Sequence, residues 1–161
     1  MALVVDGTTL NLGDNTPMVV VSQGGAQTTT DATATLVAMS TVHVDTDSAF
    51  TNTSGNYKFT VPSGKAGTYA INWMVTTFNE NSNTKTIQAY IYKNGSTLAF
   101  QRLRDDDPHH RFMNCKVHFV GDLAVGDVIQ FYILHDVTSD VPQILGGNSQ
   151  SQASIMRVKP A

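Results

Sequence analysis

The feature that most constrains the fold is the strict alternation of apolar and polar side chains in FMNCKVHFV, residues 112–120. Met113, Cys115, Val117 and Phe119 fall at every second position, with polar residues between them. A two-residue period places alternate side chains on opposite faces of a β-strand and does not fit a helix. The segment therefore predicts a strand with one buried face and one exposed face.

The same period recurs in several segments that are separated by turn residues. These segments are ATLVAMSTVHV (34–44), NYKFTVP (56–62), GTYAINWMVTTF (67–78), KTIQAYIYKNG (85–95), STLAFQRLR (96–104) and SIMRVKP (154–160). VIQFYILHD (128–136) is apolar on both faces, which predicts a central strand with both sides covered. About eight strands without a helical period indicate an all-β fold, a sandwich or jelly roll.

Turn residues separate these strands at defined points. Asn94-Gly95 tolerates the positive φ angles of a two-residue hairpin. Gly55 and Gly67 let the chain turn before a strand begins. Asp127 follows a turn that enters the predicted central strand, so its carboxylate can accept hydrogen bonds from nearby backbone amides.

Residues 1–32 differ in pattern from the rest of the chain. Two short apolar runs are separated by turns rich in Gly and Asp. This pattern predicts an extended N-terminal arm that is ordered by packing on a partner, followed by a jelly-roll domain over residues 33–161. The residues expected to anchor the arm are Leu3, Val4, Val5, Met18, Val19, Val20 and Val21.

Composition excludes several functions. The formal net charge is −3, and no basic cluster is present, so nucleic acid is not an expected partner. One cysteine, Cys115, cannot form an intrachain disulfide. The amino terminus lacks the basic and apolar regions of a Sec signal, and no long apolar run occurs, so neither secretion signal nor membrane span is expected.

The stretch RLRDDDPHHRF, residues 102–112, is the most polar candidate site. Adjacent side chains on a loop do not converge on one ion, whereas calcium loops alternate their ligands. We interpret the stretch as a solvated turn, with a metal site and a contact surface for a partner as alternatives. The exposed contact candidates are Asp105, Asp106, Asp107, His109 and His110.

No catalytic motif accompanies the histidines. His135-Asp136 and the pair His43 and Asp45 could supply parts of a hydrolytic dyad, but no Gly-x-Ser-x-Gly elbow is present. The chain also lacks a phosphate-binding glycine loop and the Cys/His spacing of a zinc site. We therefore expect no catalytic residue, no metal and no cofactor, and a protein that is not an enzyme.

Five motifs in order resemble the globular head of the complement q-subcomponent and tumour-necrosis-factor superfamily. They are FTNTSGNYKFTVP, GTYAINW, AYIYKNG, LAVGDVIQF and SIMRV, over residues 50–158. The resemblance implies a jelly roll that assembles as a homotrimer about a threefold axis. The strands carry more aromatic surface than one small interior needs. The interface candidates are Tyr69, Trp73, Tyr90, Tyr92, Phe131 and Tyr132.

The chain departs from the animal members of that superfamily because it has no Gly-X-Y stalk, no Sec-type signal and no disulfide pair. In this it is similar to trimeric jelly rolls of bacteriophage structural proteins. The leading hypothesis is a capsid decoration or cement protein, made in the host cytoplasm, that clamps capsomers and anchors its arm on the major capsid protein. The alternatives are a tail-fibre tip or receptor-binding module, and a bacterial complement-like adhesion module.

Overall fold

The computed structural model describes residues 16–80, 85–104, 111–136 and 142–161, and the backbone of residues 3–5 and 8–10. These residues form β-strands and no helix. None of them therefore belongs to a helix that could cross a membrane.

The strands of the described residues alternate with short turns along the whole chain. In chain order they are β1 (Leu3–Val5), β2 (Thr8–Leu10), β3 (Met18–Ser22), β4 (Gln27–Thr28), β5 (Thr35–Leu36), β6 (Thr41–Asp45), β7 (Phe50–Thr53), β8 (Asn56–Thr60), β9 (Gly67–Phe78), β10 (Thr86–Lys93), β11 (Ser96–Arg104), β12 (Phe112–Leu123), β13 (Val128–His135), β14 (Gln143–Ile144) and β15 (Gln152–Pro160).

Two antiparallel sheets contain all of these strands except the β1–β2 hairpin. The six-stranded sheet has the order β11-β10-β13-β8-β7, with β5 also paired to β13. The seven-stranded sheet has the order β4-β14-β9-β15-β3-β6, with β12 also paired to β9. Their inner faces enclose one hydrophobic core, which confirms the predicted all-β jelly-roll sandwich.

Alternation along β9 and β13 builds the centre of that core. Tyr69 and Trp73 of β9 point inward and are almost completely buried. The Trp73 ring lies 5.3 Å from the ring of Phe131 on the opposite sheet, and the Tyr69 ring lies 5.8 Å from that of Phe59. These aromatic contacts join the two sheets directly.

The segment 34–44, predicted as one strand, is two strands in different sheets. Thr35–Leu36 pairs with β13, whereas Thr41–Asp45 pairs with β3. Between them the chain crosses the sandwich, and the side chains of Val37 and Met39 are fully buried. The alternation that predicted a single strand therefore arises partly from a crossover that fills the core.

The predicted arm also needs correction. Met18–Ser22 is β3, a strand of the seven-stranded sheet that pairs with β15 on one side and β6 on the other. Val19 and Val21 are 1% and 0% exposed, so they pack in the core and cannot anchor the chain to a partner. Met18 and Val20 of the same strand lie on its outer face, still within the jelly roll. Leu3, Val4 and Val5 form β1, which among the described strands pairs with β2 alone and with neither sheet of the sandwich.

Candidate functional site: the outer faces of the two sheets

A row of apolar side chains crosses the outer face of the seven-stranded sheet. Val120 of β12 lies opposite Ala70 of β9, which lies opposite Met156 of β15, which lies opposite Met18 of β3. Direct cross-strand partners share one face of a sheet. Val120 is 64% exposed and Met156 42%. We call these four residues the apolar row.

A shallow depression of about 380 Å³ lies beside the apolar row on the same face. Its outward-facing lining is mostly polar and includes Asn72, Met74, Lys116, His118, Gln152 and Ser154. His118, Asn72 and Ser154 are cross-strand partners, so the polar residues form a second row parallel to the first. The face is thus apolar at one end and hydrogen-bonding at the other.

The adjacent strands β11 and β12 lie at the edges of the two sheets and also carry apolar surface. Phe112 begins β12, is largely exposed, and has its ring 4.9 Å from that of Phe78. Leu103 near the end of β11 is 38% exposed. We call Leu103 and Phe112 the apolar edge. Phe112 shares the outer face of the seven-stranded sheet with the apolar row, but it lies at the opposite end of β12 from Val120.

A second row, which we call the aromatic row, crosses the outer face of the six-stranded sheet. Leu36 lies opposite Tyr132, Tyr132 opposite Tyr90, and Tyr90 opposite Phe100. Tyr92 adds a ring that stacks on Tyr132 at 4.5 Å and contacts Tyr90 edge-on at 5.8 Å. The rings of Tyr90 and Phe100 are 5.7 Å apart. Burial raises the pKa of Tyr90, so its hydroxyl stays protonated at neutral pH.

The structure separates the six aromatic residues that were predicted to lie at a trimer interface. Tyr69, Trp73 and Phe131 fill the core of one chain, so their assignment to an interface was wrong. The other three, Tyr90, Tyr92 and Tyr132, belong to the aromatic row and are half-buried. Sequence composition alone does not tell how much aromatic surface one core takes up.

The loop candidates Asp105, Asp106, Asp107, His109 and His110 lie outside the described residues. Among the residues that the structure does describe, no group of three or more His, Cys, Asp or Glu side chains is arranged to hold a metal ion.

One serine–histidine contact was not anticipated from sequence. Ser22 Oγ lies 2.9 Å from His43 Nε2 on neighbouring strands β3 and β6. Ser22 is only 1% exposed, so a substrate has no access to its hydroxyl. The carboxylate of Asp45 accepts hydrogen bonds from the amides of Ala49 and Phe50 at 2.8 and 2.9 Å. Asp45 therefore fixes a turn, and the three residues do not form a catalytic triad.

His135 has a structural role at the end of β13. Its Nε2 lies 2.8 Å from Thr29 Oγ1, which itself donates its proton to the carbonyl of Pro142 at 2.8 Å. Burial lowers the pKa of His135, and the nearby carboxylates of Asp31 and Asp136 oppose this shift less strongly. His135 is a buried neutral imidazole that ties three segments together.

Cys115 is likewise structural. Its side chain lies in the core, as the alternation predicted, and burial raises the pKa of the thiol. A buried, protonated thiol is a poor nucleophile.

The architecture resembles solved structures of two kinds. Murine APRIL at pH 5.0 superposes with a TM-score of 0.61 at 12% identity, over 89% of this chain and 100% of that chain. The globular domain of zebrafish complement 1qA protein gives 0.60 at 11% identity, over 90% and 99%. The fold is the tumour-necrosis-factor and complement-q jelly roll. No protein-family model and no curated protein sequence matches the chain.

This likeness confirms the fold that the five sequence motifs implied. The apolar row, in contrast, was missed at the sequence level. Its members Met18, Ala70, Val120 and Met156 come from four distant strands and become neighbours only through strand register. The available signal was an apolar residue at an outward position of each strand, which becomes visible only once the inward positions are known.

Proposed function

We propose that this protein is a non-catalytic, homotrimeric jelly-roll module of a bacteriophage particle, where it decorates the capsid. The observation that supports self-assembly is the apolar row, which runs across four strands on the surface of one chain. Contiguous exposed apolar surface of this kind marks an interaction site. The superfamily resemblance of the sequence implies a trimer and agrees with this proposal.

A ring of three chains, which the superfamily resemblance implies, needs two patches that contact each other. The apolar row includes Val120 near the end of β12, whereas Phe112 of the apolar edge begins that strand on the same outer face. When two different patches of one chain contact each other, the interface is heterologous, and copies related by a closing rotation form a ring. In the proposed trimer, the apolar edge of each chain packs on the apolar row of the next.

Attachment to the capsid is assigned to the β1–β2 hairpin. Among the described strands, β1 and β2 pair only with each other, so they belong to neither sheet of the sandwich. Exposed strand edges can extend a sheet of a partner by main-chain hydrogen bonds. Each trimer would carry three hairpins that bind the capsid at the same time. Once one hairpin is bound, the effective concentration of the other two is high, so three modest contacts would give tight attachment.

Adsorption to a host surface, on a tail-fibre tip, is the second candidate. The aromatic row favours it because this row lies on the outer face of the six-stranded sheet, opposite the apolar row.

The assembly is tested by replacing Met156 with arginine. A buried, unpaired guanidinium costs roughly 3–5 kcal/mol, so the trimer is expected to weaken more than about 100-fold and run as a single chain in sedimentation velocity. Circular dichroism is expected to keep its β-sheet spectrum, because Met156 points away from the core. Val125→Arg is the matched control, since Val125 is 51% exposed in the turn after β12 and off the sheet face.

A monomeric wild-type protein would contradict the trimer. So would a Met156→Arg variant that keeps the wild-type mass.

Capsid attachment is tested by deleting residues 1–15, which precede the jelly roll. The truncated protein is expected to remain trimeric and to stop co-sedimenting with capsids that lack the protein. Full-length protein is expected to bind those capsids and to be located on them by antibody-gold electron microscopy. If the label were confined to the tail, capsid decoration would be rejected in favour of adsorption. If the truncated trimer still bound capsids, the hairpin would be rejected as the anchor.

A further inference from the structure

We propose that the aromatic row and the cations beside it form a binding face for an acidic polysaccharide. This face is the outer surface of β8, β10, β11 and β13. It lies on the sheet opposite the apolar row, so the inference goes beyond the proposed trimer and does not depend on it.

The middle of the face is a cluster of four aromatic rings. Tyr132, Tyr90 and Phe100 lie side by side on three adjacent strands, and Tyr92 packs between Tyr132 and Tyr90. Phe100 is 55% exposed at the outer strand, so its ring is available to a ligand. Aromatic rings bind the apolar C–H faces of sugars, while tyrosine hydroxyls offer a polar end for hydrogen bonds.

Amide side chains flank the aromatic row on both sides. Gln88 lies one outward position before Tyr90, and Gln130 lies opposite Tyr92. The Oε1 atom of Gln88 accepts hydrogen bonds from the Tyr90 hydroxyl at 2.7 Å and from Arg102 Nη2 at 3.1 Å. These contacts hold Gln88 and Arg102 in place, and the remaining donors of both side chains can reach a bound hydroxyl or carboxylate.

The charge of the face favours an anionic ligand. Arg102 of β11 lies opposite Gln88 of the neighbouring strand β10. Lys58 lies on the outer side of β8, next to Phe59, which pairs with Ile129. The four strands of the face contain no Asp or Glu, although the chain as a whole has a net charge of −3. Complementarity of charge and of hydrogen-bonding groups is what selects a partner at such a surface.

A polysaccharide fits this arrangement better than a nucleic acid or an acidic peptide. Nucleic acids need a dense run of cations along the phosphates, whereas here the cations are few and separated by rings and amides. An extended peptide adds along a sheet edge through main-chain hydrogen bonds, whereas the aromatic row presents side chains that run across three strands. Alternating rings, amides and isolated cations match a chain of sugar rings that carries carboxylate or sulfate groups.

The test is isothermal titration calorimetry of the full chain with three acidic oligosaccharides, from polygalacturonate, hyaluronan and heparin. Cellohexaose serves as the neutral sugar and poly-aspartate as the anion without sugar rings. At least one acidic oligosaccharide is expected to bind, and to bind more tightly than both controls. Phe100→Ala is expected to weaken this binding by about tenfold, and Lys58→Gln by about threefold, because an aromatic contact and one exposed ion pair contribute on that scale.

Lys159→Gln is the matched control for Lys58→Gln, because Lys159 is exposed on the other sheet, in β15. It is expected to leave the affinity unchanged. Failure of all three oligosaccharides to bind, or equal binding of poly-aspartate, would overturn the proposal. A Phe100→Ala variant that dissociates the assembly would assign the aromatic row to self-association instead, whereas a monomeric protein that still binds the oligosaccharide would refute only the trimer.

Discussion

Replacing Gly67 with alanine is expected to destabilise the fold by at least about 3 kcal/mol, because two separate costs add at this position. Gly67 has a φ of 151°, which side-chain-bearing residues rarely adopt. A Cβ atom there would also collide with the backbone carbonyl of Lys159 and crowd the backbone of Pro160 and Ala161. These atoms belong to the β15 end that pairs with the start of β9, so relief of the clash would require the two strands to separate.

Gly55→Ala is the matched control. Gly55 has a φ of 75°, but nothing lies within 4 Å of the Cβ that alanine would add. Its cost is expected to be only about 1 kcal/mol, from the left-handed backbone alone. Urea denaturation of the two variants measures the difference, and equal midpoints would show that the β9–β15 contact does not constrain position 67.

Replacing Asp127 with alanine is expected to cost about 3 kcal/mol, because the carboxylate has three partners and is almost buried. It contacts Lys93 Nζ at 2.7 Å and accepts hydrogen bonds from Asn94 Nδ2 and from the amide of Ala124, both at 2.8 Å. Asn94 Oδ1 in turn accepts from the amide of Val128. The carboxylate therefore joins the β10–β11 hairpin to the turn that begins β13.

The same contacts set the dependence of this contribution on pH. Burial by itself raises the pKa of Asp127, but the hydrogen bonds from Lys93, Asn94 and Ala124 outweigh burial and leave the pKa below its ordinary value of 3.8. Because the folded pKa is the lower one, the stabilisation is complete above pH 3.8 and is lost as the pH falls through the folded value.

Equilibrium unfolding at several pH values is the measurement for Asp127→Ala. The difference from wild type is expected to be constant near neutral pH and to shrink in acid. Asp122→Ala is the control, since Asp122 is exposed and its carboxylate accepts a hydrogen bond from the hydroxyl of Thr68, at 2.6 Å. If both variants lost a comparable free energy of unfolding, the contacts of the Asp127 carboxylate would not explain its contribution to stability.

Local patterns were sufficient to predict most strands. The two-residue period over 112–120 lies within β12, and that over 67–78 is the whole of β9. Asn94 and Gly95 have the positive φ angles, 52° and 81°, that the dipeptide predicted for a tight hairpin. Asp127 accepts a backbone amide, also as predicted. These features depend on residues that are close together in the sequence, so they can be predicted from the sequence alone.

Features that depend on distant partners were missed. Nothing in MVVVS distinguishes a strand that docks on another protein from β3, which is held by β15 from the far end of the sequence. Trp73 and Phe131 are core residues because they face each other across the two sheets, a pairing that neither strand pattern contains. The apolar row required the registers of three strand pairs at once.

The position of β15 between β9 and β3 has a consequence for synthesis. Ser22 of β3 pairs with Gln152 of β15, so the ribosome must add roughly 130 residues before β3 finds this partner, which at typical rates takes on the order of ten seconds. During that time Val19 and Val21 are exposed on an incomplete sheet, where a nascent chain is open to aggregation. We therefore expect newly made chains to need a chaperone, and to become protease-resistant only after β15 has left the exit tunnel.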